Sequence, residues 1–239
     1  MKKMVYYSYR DRSLPDIYVK PRQGPEVNLT GSEETWDIEP DFSPDGKQIA
    51  YASGESMADL SIHLMDADGR NKRSFIEMEH SASSPAWSPS GETILFTTFT
   101  RNAGGNIHVA NKDGGNIRSL TDALPGSSNN PVWSDDGKFI YFSHNPVLEG
   151  GSLDLYRMTK DGKNLERLTA LEFSAYDPLP TPDGQSLLFI GDGEGGHTDI
   201  YSIPMSGAEP AKTAHKISTT KGESEYFLAL TPDGKYVTH

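Results

Sequence analysis

Short apolar runs alternate with turn-forming residues along the whole chain, and the same order of elements recurs. One set of runs is almost continuously apolar, which is typical of strands covered on both faces: 49–53, 94–98, 140–144 and 187–191. After a loop of variable length, each of these four is followed by a run with an Asp/Asn/Ser-Ile/Leu-Tyr/His pattern, at 61–65, 106–110, 154–158 and 199–203. A fifth run with this pattern lies at 16–19. Gly, Pro or Asn-Asp clusters interrupt nearly every longer window, so no amphipathic helix is expected. The pattern predicts an all-β fold.

A turn segment of the type Phe/Trp-Ser-Pro-Asp-Gly opens each copy of this order. The five copies align without gaps and end at Gly46, Gly91, Gly137, Gly184 and Gly234, which are 45, 46, 47 and 50 residues apart. Proline presets φ for the turn, aspartate bonds back to the backbone, and glycine accepts a positive φ. Such a period indicates the four-stranded blade of a β-propeller. Residues 1–239 are therefore predicted to form a single propeller domain.

The two ends of the chain decide the predicted number of blades. The N-terminal part supplies the second, third and fourth strands of a blade (4–8, 16–19 and 27–30), and residues 227–231 supply a first strand. Pairing of the N- and C-terminal strands would close a ring of five four-stranded blades and remove the exposed sheet edges. Residues 235–239 align with the position that 3–7 already occupy. This tail is either a duplicate or the start of a sixth blade, and five blades are favoured.

The recurring pattern P-x-[FW]-S-P-D-G, I-x-[FY], [DN]-I-Y and L-T resembles the repeat of TolB-type propellers over the whole chain. The same repeat occurs in propellers of prolyl-oligopeptidase relatives and of some polysaccharide lyases. The resemblance implies a bacterial protein. TolB itself has six blades behind a smaller α/β domain and binds a peptidoglycan-associated lipoprotein. The resemblance implies fold more directly than function, because propellers serve as binding platforms and as enzymes.

Charge and composition narrow the classes of partner. The chain has 34 acidic and 22 basic residues, a formal charge of −12, and no cysteine. An acidic surface repels phosphate backbones and anionic headgroups, so neither a nucleic-acid partner nor a membrane-surface role is expected. No stretch of about 18 apolar residues occurs, so membrane insertion is not expected either. The N-terminal residues lack the apolar core of a signal peptide. As given, the chain is expected in the cytoplasm, or in the periplasm if a signal peptide was removed; the sequence leaves the compartment open.

The candidate site lies at the mouth of the predicted channel, where the chain enters the first strand of each blade. Carboxylates, an amide and aromatic rings gathered at one mouth would suit a ligand or a peptide. The predicted binding residues are Trp36, Asp37, Glu39, Asn130, Tyr176, Asp177 and Tyr226; Ser84 and Phe227 complete the aligned positions. We expect a monomeric, non-catalytic module that binds a protein or a small neutral or cationic ligand and needs no cofactor.

An enzymatic alternative rests on three histidines in loops or strand ends of the same face, His80, His144 and His197. Propeller lyases that resemble oligogalacturonate lyase hold a metal through histidine on such a face. The alternative function is therefore a carbohydrate-active enzyme of the polysaccharide lyase type. The three histidines lack a fixed spacing, so no metal site is assigned. His63 and His108 replace Tyr within a strand pattern and are expected to be structural.

Overall fold

The computed structural model describes residues 3–11, 13–100, 104–147, 150–192, 196–206, 209–218, 229–230 and 237–238. These residues contain β-strands and turns but no α-helix, and none of their segments is a helix long and apolar enough to cross a membrane. The chain divides into two compact units, Met1–Ser119 and Leu120–His239. The predicted single-domain organisation stays a prediction.

Unit 1 contains three antiparallel sheets in which consecutive strands are neighbours. Blade 1 consists of β1 (Met4–Ser8), β2 (Asp16–Lys20) and β3 (Val27–Asn28). Blade 2 consists of β4 (Trp36–Phe42), β5 (Gln48–Gly54), β6 (Ser61–Asp66) and β7 (Arg73–Ile76). Blade 3 consists of β8 (Ser81–Trp87), β9 (Thr93–Thr100), β10 (Gly104–Asn111) and β11 (Arg118–Ser119).

Unit 2 repeats this plan in two further four-stranded sheets. Blade 4 consists of β12 (Ser127–Trp133), β13 (Phe139–Asn145), β14 (Asp154–Thr159) and β15 (Glu166–Arg167). Blade 5 consists of β16 (Ala175–Pro180), β17 (Ser186–Asp192), β18 (Thr198–Pro204) and β19 (His215–Lys216). The all-β, five-bladed propeller fold is confirmed.

The terminal strands need a separate description. A two-stranded sheet joins β20 (Ala229–Leu230) to β21 (Val237–Thr238), so the tail pairs with the strand that precedes it, as a second strand does in each complete blade. The pairing observed for β1 is with β2. Closure of the ring through the two ends of the chain stays a prediction.

The apolar runs form the interfaces between neighbouring blades. Between blades 1 and 2, Ile17 and Val19 pack with Ile49, Tyr51 and Met65. A second cluster joins blades 2 and 3, and a third joins blades 4 and 5; their largest fully buried members are Phe96 and Phe189. Both faces of each central strand are therefore buried, which explains why the sequence of these strands is almost continuously apolar.

The Asp that opens the third strand of a blade is hydrogen-bonded to the Thr or Ser that follows the outer strand. In blade 4 the Thr169 hydroxyl donates to Asp154 Oδ1 and accepts from the Leu155 N–H, both over 2.9 Å. In blade 1 the Thr30 hydroxyl donates to Asp16 and accepts from the Ile17 N–H. In blade 5 the Ser218 hydroxyl donates to Asp199 and accepts from the Ile200 N–H. The pattern persists because each partner satisfies a buried polar group of the other.

Candidate functional site

The four described residues that enter the first strands share an uncommon backbone conformation. Glu39, Ser84, Asn130 and Asp177 have φ between 51° and 53°, in the left-handed region. Each lies at a break in the register between the first and second strand of its blade. The polar side chains at these positions thus partly reflect the backbone, because Asn and Asp tolerate this region better than most residues. A strained backbone of this kind is often found at functional sites.

In unit 1, two carboxylates of β4 bind the neighbouring first strand. The Glu39 carboxylate accepts hydrogen bonds from Ser84 N over 2.7 Å and from Ser84 Oγ over 3.1 Å. Asp41 Oδ2 accepts from Trp87 N over 2.7 Å. Burial raises the pKa of Asp41 to about 7. Both side chains therefore join blade 2 to blade 3, so Glu39 has a structural task besides any role in binding.

Trp36 belongs to a row of apolar side chains along the same end of unit 1. Its ring makes an edge contact with Tyr9, which is 50% exposed in the connection between β1 and β2. Met57, between β5 and β6, is 54% exposed, and Phe99, near the end of β9, is 40% exposed. Ser81, which pairs with Phe99 across the sheet, donates to the Met57 carbonyl over 3.0 Å. We call Tyr9, Trp36, Met57 and Phe99 the apolar strip.

Unit 2 carries the remaining described candidates. Asn130 lies on β12 and Tyr176 and Asp177 on β16, and these two first strands are neighbours. The Tyr176 hydroxyl donates to Asp192 Oδ1 over 3.3 Å. Val147, in the connection between β13 and β14, is 50% exposed and occupies the same topological position as Met57. Tyr226 and Phe227 lie outside the described residues.

The three candidate metal ligands have different surroundings. His80 is exposed in unit 1, whereas His144 in unit 2 is buried against Phe142 and Tyr156, with Nδ1 2.9 Å from Ser128 Oγ. Burial lowers the pKa of His144. His197 is half-buried. Among the residues that the structure describes, no three His, Asp or Glu side chains are grouped to hold a metal ion. The metal-dependent alternative stays a prediction.

Asp37 lies at the junction of blades 1 and 2. It lines an open cleft of about 370 Å³ whose other walls are Thr30, Ser32, Thr35, Tyr51, Ser53, His63, Lys72, Arg73 and Ser74. Its side chain is buried and accepts a hydrogen bond from Ser53 Oγ over 2.6 Å. Burial raises the pKa of this carboxyl group. Asp37 lines this cleft, whereas Glu39 binds Ser84 of blade 3. The placement of both residues at one mouth stays a prediction.

Three members of the apolar strip, Tyr9, Met57 and Phe99, are not among the predicted binding residues. Tyr9 and Met57 lie in connections of variable length, and Phe99 lies one residue before the end of β9. The signal is an apolar residue at or next to the same connection in successive copies. The walls of the cleft carry no local signal, because the cleft forms only where two blades meet.

Comparison with known proteins agrees with the propeller fold. The model of the TolB beta propeller domain family matches residues 52–239. The crystal structure of TolB from Acinetobacter baumannii superimposes with a TM-score of 0.77 at 19% identity, over 98% of this chain and 57% of that one. The structure of a putative TolB from Agrobacterium tumefaciens gives a TM-score of 0.71 at 20% identity, over 84% of this chain and 73% of that one. Identities this low show the fold alone.

A curated relative matches a shorter stretch. The uncharacterized protein Atu1656 of Agrobacterium fabrum is 31% identical over 65 residues, which is 27% of this chain and 21% of the relative. The chain thus spans 57% of the Acinetobacter TolB and a smaller part of this relative.

Proposed function

The chain belongs to the TolB beta propeller family, and from this premise we propose that it is a non-catalytic binding module that holds a protein partner against the apolar strip. The observation that carries the proposal is the recurrence of an exposed apolar side chain at one connection. Tyr9, Met57 and Val147 lie in the connection between the second and the third strand of a blade, and Phe99 lies one residue before the end of the second strand β9. Aromatic residues and methionine are enriched in protein interfaces, and few such residues supply most of the binding energy.

The loop that presents Met57 is held in one conformation. Asp59 Oδ1 accepts from Ser56 N over 2.6 Å and from Ser56 Oγ over 2.9 Å, while Ser81 fixes the Met57 carbonyl. A preorganised loop loses little conformational entropy on binding, which favours affinity. Methionine adapts its shape to different partner surfaces. This combination suits recognition of an apolar segment of another protein.

The surroundings of the strip indicate the chemistry of the partner. Net charge is −12 for the chain, and Glu33, Glu34 and Glu55 are exposed beside Trp36 and Met57. A partner segment with apolar side chains flanked by Lys or Arg would match an apolar centre with an acidic rim, and opposite rim charges increase the rate of association. The carboxylates of Glu39 and Asp177 are proposed to belong to the binding surface of their respective units.

Selection from a phage-displayed peptide library would test the proposal. We expect the wild-type protein to enrich peptides with apolar and basic residues, and the double variant Met57→Asp/Phe99→Asp to lose them. The matched control is Ile117→Asp/Leu165→Asp, because these two side chains are similarly exposed but lie directly before the outer strands β11 and β15. Peptides that bind the strip variant as well as the wild type, and fail on the control, would contradict the proposal.

A further inference from the structure

The cleft at the junction of blades 1 and 2 has a buried carboxylate in its wall. Asp37 is only 3% exposed, and its side chain accepts hydrogen bonds from hydroxyl groups, among them Ser53 Oγ at 2.6 Å and Thr35 Oγ1 at 3.4 Å. No basic side chain in the part of the chain that the structure describes forms an ion pair with Asp37, and burial raises its pKa. A buried carboxylate without a cation costs free energy, because hydroxyl groups compensate only part of the lost hydration.

The lining of the cleft divides into a buried inner part and an exposed outer part. Asp37, Tyr51 and Ser53 are buried, whereas Lys72 is exposed. The carboxylate therefore lies at the inner end and the Lys72 ammonium group at the rim, where its Nζ donates to the Thr30 carbonyl over 3.3 Å. The cleft has a volume of about 370 Å³. Clefts of about 300 Å³ and more are the usual size for small ligands.

Hydroxyl groups dominate the walls of the cleft. They are contributed by Thr30, Ser32, Tyr51 and Ser74. His63 adds an imidazole whose Nε2 lies 3.1 Å from Ser61 Oγ, and burial lowers its pKa, which favours the neutral ring. Hydroxyl groups and a neutral imidazole both donate and accept hydrogen bonds. The walls therefore match a ligand that carries hydroxyl groups of its own.

Blade 5 has a corresponding space that a side chain fills. Ala175 pairs with Gly191 across the first two strands of that blade, as Asp37 pairs with Ser53 in blade 2. The ring of Phe173 lies so close to Gly191 that a Cβ atom there would come within 2.7 Å of it. The two small residues thus make room for an aromatic ring, which closes the space.

In blade 2 the position of this ring is held by Thr35, which precedes Asp37 by two residues as Phe173 precedes Ala175. The Thr35 side chain is too short to fill the space, and its hydroxyl donates to the Asp37 carboxylate. Blade 2 therefore has an open cleft with a negative charge where blade 5 has an aromatic ring packed on small residues.

We propose that this cleft binds a small hydroxylated amine, an amino alcohol or an amino sugar, with its ammonium group against Asp37. The ammonium group supplies the positive charge that the carboxylate lacks, and the hydroxyl groups of the ligand bond to the walls. Hydrogen bonds between charged groups are stronger than those between neutral groups. The cleft residues are not those of the apolar strip, so this binding goes beyond the proposed protein-binding function and is tested separately from it.

Isothermal titration calorimetry with three amines of increasing size, ethanolamine, serinol and glucosamine, tests the proposal. We expect at least one of them to bind with a Kd of about 1 mM or below, and its uncharged analogue (ethylene glycol, glycerol or glucose) to bind at least about tenfold more weakly. Asp37→Asn should weaken binding of the amine by about tenfold or more. Asp41→Asn is the matched control and should leave binding unchanged, because Asp41 is a second carboxylate of β4 that bonds to Trp87 of blade 3.

Two further variants test the cleft without changing the carboxylate. Thr35→Phe/Ser53→Gly gives blade 2 the ring and the glycine of blade 5, so it should fill the cleft and abolish binding although Asp37 is present. Lys72→Gln is an exposed change that removes a like charge from the rim, so it should not weaken binding of an amine. Circular dichroism shows whether each variant keeps its β-structure.

Several results would overturn the proposal. One is that none of the three amines binds to the wild-type protein, and another is that an uncharged analogue binds as tightly as its amine. An equal loss of binding in Asp41→Asn and Asp37→Asn would reflect acidic charge in general rather than this cleft. Wild-type affinity in a folded Thr35→Phe/Ser53→Gly protein would place the amine elsewhere, and loss of binding in Lys72→Gln would mean that the ligand needs a cation instead of supplying one.

Discussion

Asp41→Asn is expected to make the protein more stable at neutral and alkaline pH. The Asp41 side chain lies between blades 2 and 3, its Oδ2 accepts from Trp87 N over 2.7 Å, and burial raises its pKa from the ordinary 3.8 to about 7. The folded protein therefore keeps a proton that the unfolded chain releases between these two pH values. The protonated Asp41 makes its full contribution to the free energy of unfolding below about pH 4. This contribution is lost as the pH rises through about 7.

The size of the effect follows from the pKa difference. Each pKa unit corresponds to about 1.4 kcal/mol, so the ionised Asp41 costs up to roughly 4 kcal/mol above pH 7. This value is an upper limit, because Asp41 keeps a small exposed area. Asparagine has the same shape, carries no charge and can still accept from Trp87 N. The gain in stability of Asp41→Asn should therefore grow by up to about 1.4 kcal/mol per pH unit from about pH 4 to 7 and then stay constant.

Urea denaturation of the wild type and the variant at a series of pH values measures this difference. Asp45→Asn is the matched control, since Asp45 lies four residues away in an exposed turn, where hydrogen bonds from Ser43 and Lys47 lower its pKa. That variant should lose stability relative to the wild type at neutral pH, the opposite sign. An Asp41→Asn protein whose stability difference does not change with pH would refute the reasoning, because the buried carboxylate would then cost nothing to ionise.

Three further substitutions test the structural assignments, each by urea denaturation. Trp87→Ala should cost about 3–5 kcal/mol, since the ring is 8% exposed between blades 2 and 3, whereas Trp87→Phe should cost much less, because the buried Nε1–H has no hydrogen-bond partner among the described residues. Thr169→Val should cost about 2–3 kcal/mol, because Asp154 and the Leu155 N–H both lose a buried partner. Asp177→Val should cost about 1–2 kcal/mol more than Asp177→Asn, because a β-branched residue fits poorly at φ 51°. Each assignment has its own contradicting result: equal stability of Trp87→Ala and Trp87→Phe, of Thr169→Val and the wild type, or of Asp177→Val and Asp177→Asn.

The fold could be predicted from the sequence because its signals are local. Each turn depends on a few adjacent residues: Ser43 Oγ donates to Asp45 and accepts from Gln48 N, and Ser134 repeats these contacts with Asp136 and Phe139. The strands between the turns show their burial directly as apolar runs. Phe42 packs between blades 1 and 2 and Trp87 between blades 2 and 3, as the alternation of the two faces along a strand requires.

The candidate site could be predicted only in part, because it depends on how the blades pack. The aligned positions of Glu39, Asn130 and Asp177 were found from the repeat, but their left-handed backbone was not visible in the pattern. Asp37 and Glu39 are two residues apart, yet the break in register separates their surroundings, so one reaches blade 1 and the other Ser84 of blade 3. Contacts between blades join residues far apart in sequence, and no local pattern records them.

Hydrogen exchange with and without a selected peptide is the measurement that tests the central claim most directly, namely that a protein partner binds at the apolar strip. The account predicts slower exchange on binding for the amides around Tyr9 and Trp36, in the loop 55–59 and at the end of β9, with no change in the outer strands β7 and β11. Protection confined to those outer strands, with the loop 55–59 exchanging as in the free protein, would contradict it.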